Sequence, residues 1–254
     1  MAIPELIAHR GYAARYPENS LPGIEAAIVA GAQYVEVDVQ LSADRVPVLF
    51  HDADLMRICG VTGAVYERDF ADLAQLYAAE TGRFCKRFAD NRLASLADLI
   101  ALLAVHPGVR AFIEIKTEAV AHFGIQAVLD AVAPVLRPVA DRCVLISFSI
   151  PLLECAHRHE QDPAAESAWS GLGGVIEHWW DRVFMTGLGL SHLFCDVQGL
   201  PEEGELAFES ARLAVYEVCD VEQAMDLGAR GVALIETFAL PELAEQMRMC
   251  LEKG

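Results

Sequence analysis

Positive charge is scarce in this chain. Its 254 residues carry 19 Lys and Arg against 37 Asp and Glu, a formal net charge of −18. A balance of that sign excludes the basic footprint that grips nucleic acid and argues against stable association with an anionic membrane. Long apolar runs are missing too. The stretch Leu96–Val105 is among the longest, well short of the roughly 20 residues a membrane span needs. The seven cysteines are odd in number, widely scattered and form no CxxC pair. That pattern argues against a disulfide framework or a zinc site and for free thiols in a reducing compartment. No secretory signal is legible, because Met1-Ala2-Ile3-Pro4 leads straight into an apolar segment. A cytoplasmic protein is the expectation. No Gly-, Ser- or Pro-rich linker and no short internal repeat divides the chain.

What is present is an alternation of short apolar strands with amphipathic helices. Hydrophobic residues make up 54% and charged residues 22%, the balance of a chain able to bury a large core. The spacing predicts strands at Leu6–Ala8, Tyr34–Leu41, Val46–Phe50, Ala111–Ile115, Cys143–Phe148, Gly173–Ile176, Leu193–Val197, Leu213–Val218 and Val232–Ile235. Helices are expected over Leu21–Ala30, Leu96–Leu103, Ile125–Val135, Leu152–His157 and Val221–Leu227, the first closed by Gly31. Repeated strand–helix units mean a parallel sheet covered by helices. Nine strands are one more than a closed eightfold barrel needs. Only Ser42–Arg45 separates the second from the third, too little for a parallel crossover, so an antiparallel hairpin turning near Asp44-Arg45 is expected. Its ladder would bring Asp38 roughly opposite His51. The charged, aromatic stretch from about Asp52 to Arg110 reads as an insertion into a single 1–254 domain.

Chemistry gathers at the strand ends. Glu36 and Asp38 lie two apart on one strand and therefore share a face. With Glu114 they make an oxygen-rich cradle suited to one hard divalent cation, Mg²⁺ or Ca²⁺. His9 and His51 both sit at strand exits, each beside a charged neighbour, and imidazole can give or take a proton near neutrality. Arg10 offers a planar fork and Lys116 a point charge to phosphate oxygens. Lys116 is also two residues from Glu114, so it can pair internally and orient that carboxylate. Glu18 and Asn19 can orient the first loop, or Asn19 and Ser20 can cap the following helix. The six other histidines read as surface or packing residues.

These motifs resemble the glycerophosphodiester phosphodiesterase family. The likeness rests on His9-Arg10-Gly11, Pro17-Glu18-Asn19-Ser20, Glu36-Val37-Asp38-Val39, the strand ending in His51-Asp52, and Glu114-Ile115-Lys116. Looser matches are Leu55-Met56-Arg57 with Gly63, and Ser147-Phe148 at the end of the fifth strand. The resemblance implies a TIM-type (β/α)8 barrel with a small insertion after the strand ending in His51. It implies one divalent cation on Glu36, Asp38 and Glu114, with His9 and His51 as the acid–base pair. Arg10, Lys116, Phe148 and Tyr216 are then the candidate substrate-binding residues, for a small glycerophosphodiester cleaved to glycerol 3-phosphate and an alcohol.

The C-terminal half departs from the family pattern. Tyr216-Glu217-Val218-Cys219 stands where the family usually has Trp-(Thr/Val)-Val-Asn, and Gly231 to Phe238 replaces the usual Thr-Asp-x-Pro ending. Tyr216 can supply an aromatic wall, whereas strand alternation turns Glu217 away from that face. Two rivals follow. One is lysophospholipase-D-like cleavage forming a cyclic phosphate, to which the Trp179-Trp180 pair lends weak support. The other is a non-catalytic phosphodiester-binding barrel.

Overall fold

The structure, a computed structural model, describes residues 3–161 and 166–253. Nine strands form one sheet: β1 (Glu5–Ala8), β2 (Tyr34–Leu41), β3 (Pro47–Leu49), β4 (Arg110–Ile115), β5 (Cys143–Ser147), β6 (Leu172–Ile176), β7 (His192–Asp196), β8 (Arg212–Tyr216) and β9 (Leu234–Thr237). Eight of them run parallel and close on themselves, because β1 pairs with both β2 and β9. The ninth, β3, lies antiparallel on β2, with Val39 opposite Leu49 and Leu41 opposite Pro47. The protein is a TIM-type (β/α)8 barrel with one extra strand.

The hairpin turns where the sequence expects it. Ser42 N–H donates to the Val46 carbonyl, and Arg45 takes a left-handed backbone with φ of 62°. Its register is one residue off the expectation. Phe50 N–H donates to the Asp38 carbonyl at 3.0 Å, so Phe50 faces Asp38 and His51 stands one step beyond. Because β3 lies outside the closed ring, β5 is the fourth stave of the barrel rather than the fifth.

Two apolar layers hold the barrel. Outside the ring, Val35, Val37 and Val39 of β2 pack against the helices with Leu96, Leu99, Leu103 and Val132. Inside, Ile7, Phe112, Val144, Ile146, Val175, Phe194, Ala214 and Leu234 close the lumen. The interior is thus a packed plug rather than a pore. A Cβ on Gly173 would come within 2.8 Å of Ile146, so the absence of a side chain there makes room for that plug. His192, one of the histidines assigned to packing, lies beneath it, edge-on to Phe112. Residues after β3 fold as short helices around Val48, Phe50, Leu55, Ile58, Val65, Leu73 and Leu93. They return to the free edge of β3, where Leu49 N–H donates to the Ala94 carbonyl.

The predicted helices form as Leu21–Val29, Leu96–Ala104, Ile125–Leu136, Ile150–Gln161 and Val221–Ala229, joined by Leu240–Lys253. Ser20 caps the first, its Oγ accepting from Gly23 N–H. Among the described residues, no single helix is long and apolar enough to cross a membrane, though the bent pair Thr117–Phe123 and Ile125–Arg142 passes together by length and composition. All seven cysteines are free.

Candidate active site

A cavity of about 290 Å³ opens at the C-terminal mouth of the barrel. Its lining includes His9, Arg10, His51, Glu114, Lys116, Phe148 and Tyr216. Glu36 and Asp38 are buried and bonded to two of those residues, so the structure brings the whole predicted set together.

The β1 exit delivers His9 and then bends sharply. Gly11 has φ of 79°, and a Cβ there would lie 2.9 Å from the backbone of Gly23 and Ile24. Glycine is therefore required for the loop to pack on the first helix. Arg10 and Asn19 are themselves left-handed, each with φ of 54°. That geometry aims Arg10 N–H at Glu36 Oε2 (3.1 Å) and Asn19 at Asp38. Asn19 Nδ2 donates to Asp38 Oδ2 at 2.8 Å, and Asp38 N–H donates to Asn19 Oδ1 at 3.0 Å. Ser20 caps the helix, while Asn19 clamps Asp38. His9 stacks on Phe238, ring centroids 4.7 Å apart, with Nε2 3.6 Å from Glu36.

Glu36, Asp38 and Glu114 each offer an oxygen within 4.8 Å of the others, and all three are buried. Three such carboxylates repel unless positive charge joins them. Arg10 Nε lies 3.1 Å from Asp38, and Lys116 Nζ lies 2.7 Å from Glu114 and 3.3 Å from Asp38. The internal pairing foreseen for Lys116 is thus present, at the edge of the cavity. Glu36 Oε1 has no partner, an orphaned buried acceptor in an all-oxygen donor set. The residues fit a hard divalent cation.

The electrostatics divide the cradle. Burial pushes the Glu36 carboxyl well above the usual range, and Asp38 and Glu236 add to it. Burial and Asp38 also raise Glu114. Burial would raise Asp38 as well, but Arg10 and Lys116 hold it below its ordinary value. Burial, then the Arg10 charge, keeps His9 well below the ordinary imidazole value.

His51 reaches the site through a relay of charges. Its Nδ1 lies 2.7 Å from Asp52 Oδ1, which directs Nε2 as the free nitrogen. Arg57 binds Asp52 with two bonds of 2.7 Å and Glu18 with bonds of 2.7 and 2.8 Å. Glu18 then accepts from Arg10 at 3.2 Å. Glu18 and Arg57 thus link the first loop to the segment after β3.

The opposite wall departs from expectation. Glu217 lines the cavity, with Oε1 3.9 Å from His9 Nδ1. Strand alternation fails to predict this because β8 ends at Tyr216, one residue earlier. Glu177, Asp196 and Glu236 line it as well, and none was singled out from sequence. The available signal is an acid at the end of four consecutive apolar strands: Ile176-Glu177, Cys195-Asp196, Tyr216-Glu217 and Ile235-Glu236. Tyr216 Oη donates to the Ile176 carbonyl at 2.9 Å, which fixes its ring as a wall. Trp179 is buried, whereas Trp180 is 70% exposed.

The human glycerophosphodiester phosphodiesterase 1 is 33% identical over 113 residues, 44% of this chain and 34% of that protein. A Bacillus altitudinis glycerophosphodiester phosphodiesterase is 26% identical over 156 residues, 61% and 62% of the two chains. The chain spans from about a third to about three-fifths of the length of these curated relatives. In three dimensions it superposes on an Oleispira antarctica phosphodiesterase solved with sn-glycerol-3-phosphate, with a TM-score of 0.78, 21% identity and 97% of each chain covered. The Thermotoga maritima glycerophosphodiester phosphodiesterase gives 0.69 at 22% identity, covering 98% of this chain and all of that one. The sequence model of one family matches residues 9–154, the stretch that holds both histidines, the cradle and both cations, and by that match the chain belongs to the glycerophosphoryl diester phosphodiesterase family.

Proposed function

We propose that this protein hydrolyses glycerophosphodiesters to glycerol 3-phosphate and an alcohol, with a divalent cation held by Glu36, Asp38 and Glu114. The observation that carries the reading is the convergence of three buried carboxylates, two histidines, Arg10 and Lys116 on one cavity at the strand ends. A Mg²⁺ or Ca²⁺ ion bound there would polarise a phosphoryl oxygen and acidify a bound hydroxyl or water. The chain's own residues supply the rest. Arg10 and Lys116 offset the charge of the phosphoryl group, and Asn19 keeps Asp38 in register for the cradle.

His9 and His51 move the protons. Burial keeps His9 neutral, as a proton acceptor must be. Asp52 holds His51 through Nδ1 and leaves Nε2 to meet the leaving alkoxide. The geometry therefore favours His9 as base and His51 as acid. Phe148 and Tyr216 form the apolar side of the substrate pocket.

The test is release of glycerol 3-phosphate from glycerophosphocholine and glycerophosphoethanolamine, with Mg²⁺, Ca²⁺ or excess chelator, by wild type and His51→Ala. Metal-dependent turnover that the substitution abolishes supports the reading. Absence of turnover by a folded protein with every metal sinks it. One observation favours a second reading. Trp180, Val183 and Phe184 follow β6 and stand 63–70% exposed, a surface suited to the acyl chain of a lysolipid. Cleavage by the lysolipid's own hydroxyl would leave a cyclic phosphate, which phosphorus NMR distinguishes from glycerol 3-phosphate.

A further inference from the structure

The segment after β3 carries a short helix, Met56–Cys59, that the chemistry above leaves without a task. Leu55 and Ile58 bury into the core of the insertion, and Met56 N–H donates to Asp54 Oδ1 at 2.9 Å. Arg57, between those two anchors, reaches out to the first loop.

Its guanidinium is divided between two carboxylates. One edge meets Asp52, where Nε donates to Oδ2 and Nη2 to Oδ1, each at 2.7 Å. The other edge meets Glu18, where Nη2 donates to Oε1 at 2.7 Å and Nη1 to Oε2 at 2.8 Å. Charge-assisted pairs of this planar, two-bond kind fix direction as well as distance. A lysine there would supply the charge and lose the fork, since one ammonium cannot hold both edges.

The two ends of the brace differ. Glu18 is its fixed end: it is 8% exposed, accepts from Arg10 at 3.2 Å, and its own N–H donates to Glu80 Oε2 at 3.4 Å. Glu80 is buried and accepts from Arg83 Nη1 at 2.8 Å, while Arg83 Nη2 donates to the Ala13 carbonyl at 2.6 Å. The insertion thus grips Glu18 by its side chain through Arg57 and by its backbone through Glu80. Asp52 is the end that needs holding. Its side chain is 21% exposed, free to turn into water if the fork released it, and it carries the 2.7 Å contact to His51 Nδ1.

We propose that Arg57 is a positioning residue for His51. Braced on Glu18, it fixes the Asp52 carboxylate, and the carboxylate keeps the proton of the neutral ring on Nδ1 so that Nε2 is the nitrogen that exchanges the catalytic proton. This rests on the phosphodiesterase reading above and deepens it, because it gives the insertion a part in the reaction. Arg57 comes from the insertion and Glu18 from the first loop, so the two must be docked for His51 to be in register.

The test is Arg57→Lys, alone and combined with His51→Ala, on the metal-loaded protein with glycerophosphocholine. Alone it should lower kcat/KM by on the order of 10- to 100-fold, mostly in kcat. In the His51→Ala background the same substitution should cost about threefold at most, because its target is already gone. Circular dichroism checks that each variant folds. An equal loss in both backgrounds overturns the proposal, since Arg57 would then act without His51. Full activity of Arg57→Lys overturns it too, since charge alone would then suffice. Nitrogen NMR of labelled histidine reads the ring without turnover, the His51 signals being those that His51→Ala removes. At about pH 8 the wild-type ring should show one tautomer, protonated on Nδ1, and Arg57→Lys should average its two nitrogens. Mixed tautomers in wild type, or a single tautomer retained in the variant, overturn the proposal. Tautomer control by Arg57 in a protein that hydrolyses no ester would keep the positioning of the ring and reject the phosphodiesterase reading.

Discussion

The two halves of the cavity occupy the same height on the same barrel and have opposite electrostatic designs. On the β1–β2–β4 side every cradle carboxylate has a cation, an amide or a backbone N–H against it. On the β6–β9 side Glu177 and Glu217 are exposed and Asp196 is half-buried, while Glu236 is buried and, like Glu36 in the cradle, keeps an unpaired oxygen. Arg10 and Lys116 offset only part of the charge of the three cradle carboxylates, which suits the cradle to a divalent cation. The barrel permits walls of different character around one mouth, because each strand end contributes its side chain independently of the others.

The proposed reading makes this contrast breakable. The largest effect belongs to the cradle: chelation, or Glu36→Gln with Asp38→Asn, should take glycerol 3-phosphate release to background, restored in wild type by Mg²⁺ or Ca²⁺. His51→Ala should cost on the order of 10²–10⁴ in kcat/KM, equally for charged and uncharged alcohols. Loss confined to one class of alcohol would erase the distinction between the walls. A His9→Ala, His51→Ala double variant should lose less than the product of the single losses. Asn19→Ala removes both bonds to Asp38 and should weaken divalent-cation affinity about 10- to 100-fold by calorimetry.

The pH dependence of stability sharpens the comparison further. Burial raises Glu36 and Glu236 in the folded state, so the native protein holds protons that the unfolded chain releases above the ordinary glutamate value of 4.5. Their contribution is present below that value and is lost as pH rises towards the folded values. Asp38, depressed by Arg10 and Lys116 despite burial, contributes above 3.8 and loses that contribution as pH falls. Buried His9 and His192, held below the ordinary imidazole value, act in the opposite sense, so the test isolates the carboxyl. In the metal-free protein Glu36→Gln should raise the melting temperature relative to wild type by a few degrees more at pH 7 than at pH 4.5, and a divalent cation should stabilise wild type most at the higher pH. A difference between variant and wild type that is the same at both pH values would contradict the assignment. The smallest effect is expected at Trp180→Ser, which should leave stability and glycerophosphocholine turnover within about 0.5 kcal/mol of wild type. A selective loss on lysolipids would favour the second reading.

Much of the cradle side is legible along the chain because its information is local. Glu36 and Asp38 share a face by strand period, and His9-Arg10-Gly11 is one turn whose glycine fits against the first helix. The hairpin follows from a linker too short for a crossover, although its register differs by one residue, since the turn's hydrogen bonds, not its length, set the ladder. The relay from His51 through Asp52, Arg57 and Glu18 to Arg10 joins residues up to 47 apart that no spacing connects. The Phe238 ring under His9 comes from the far end of the chain.

By itself the sequence determined the strand–helix alternation, the surplus strand and the residue types of the cradle. Each depends on a period or a motif carried within a few residues. Only the tertiary structure decided that four acids from four different strands meet across a cavity from Arg10 and Lys116. Barrel closure is the physical reason: it brings β9 against β1 and sets β6–β8 opposite β1–β4, so strand ends far apart in the chain come to share one pocket.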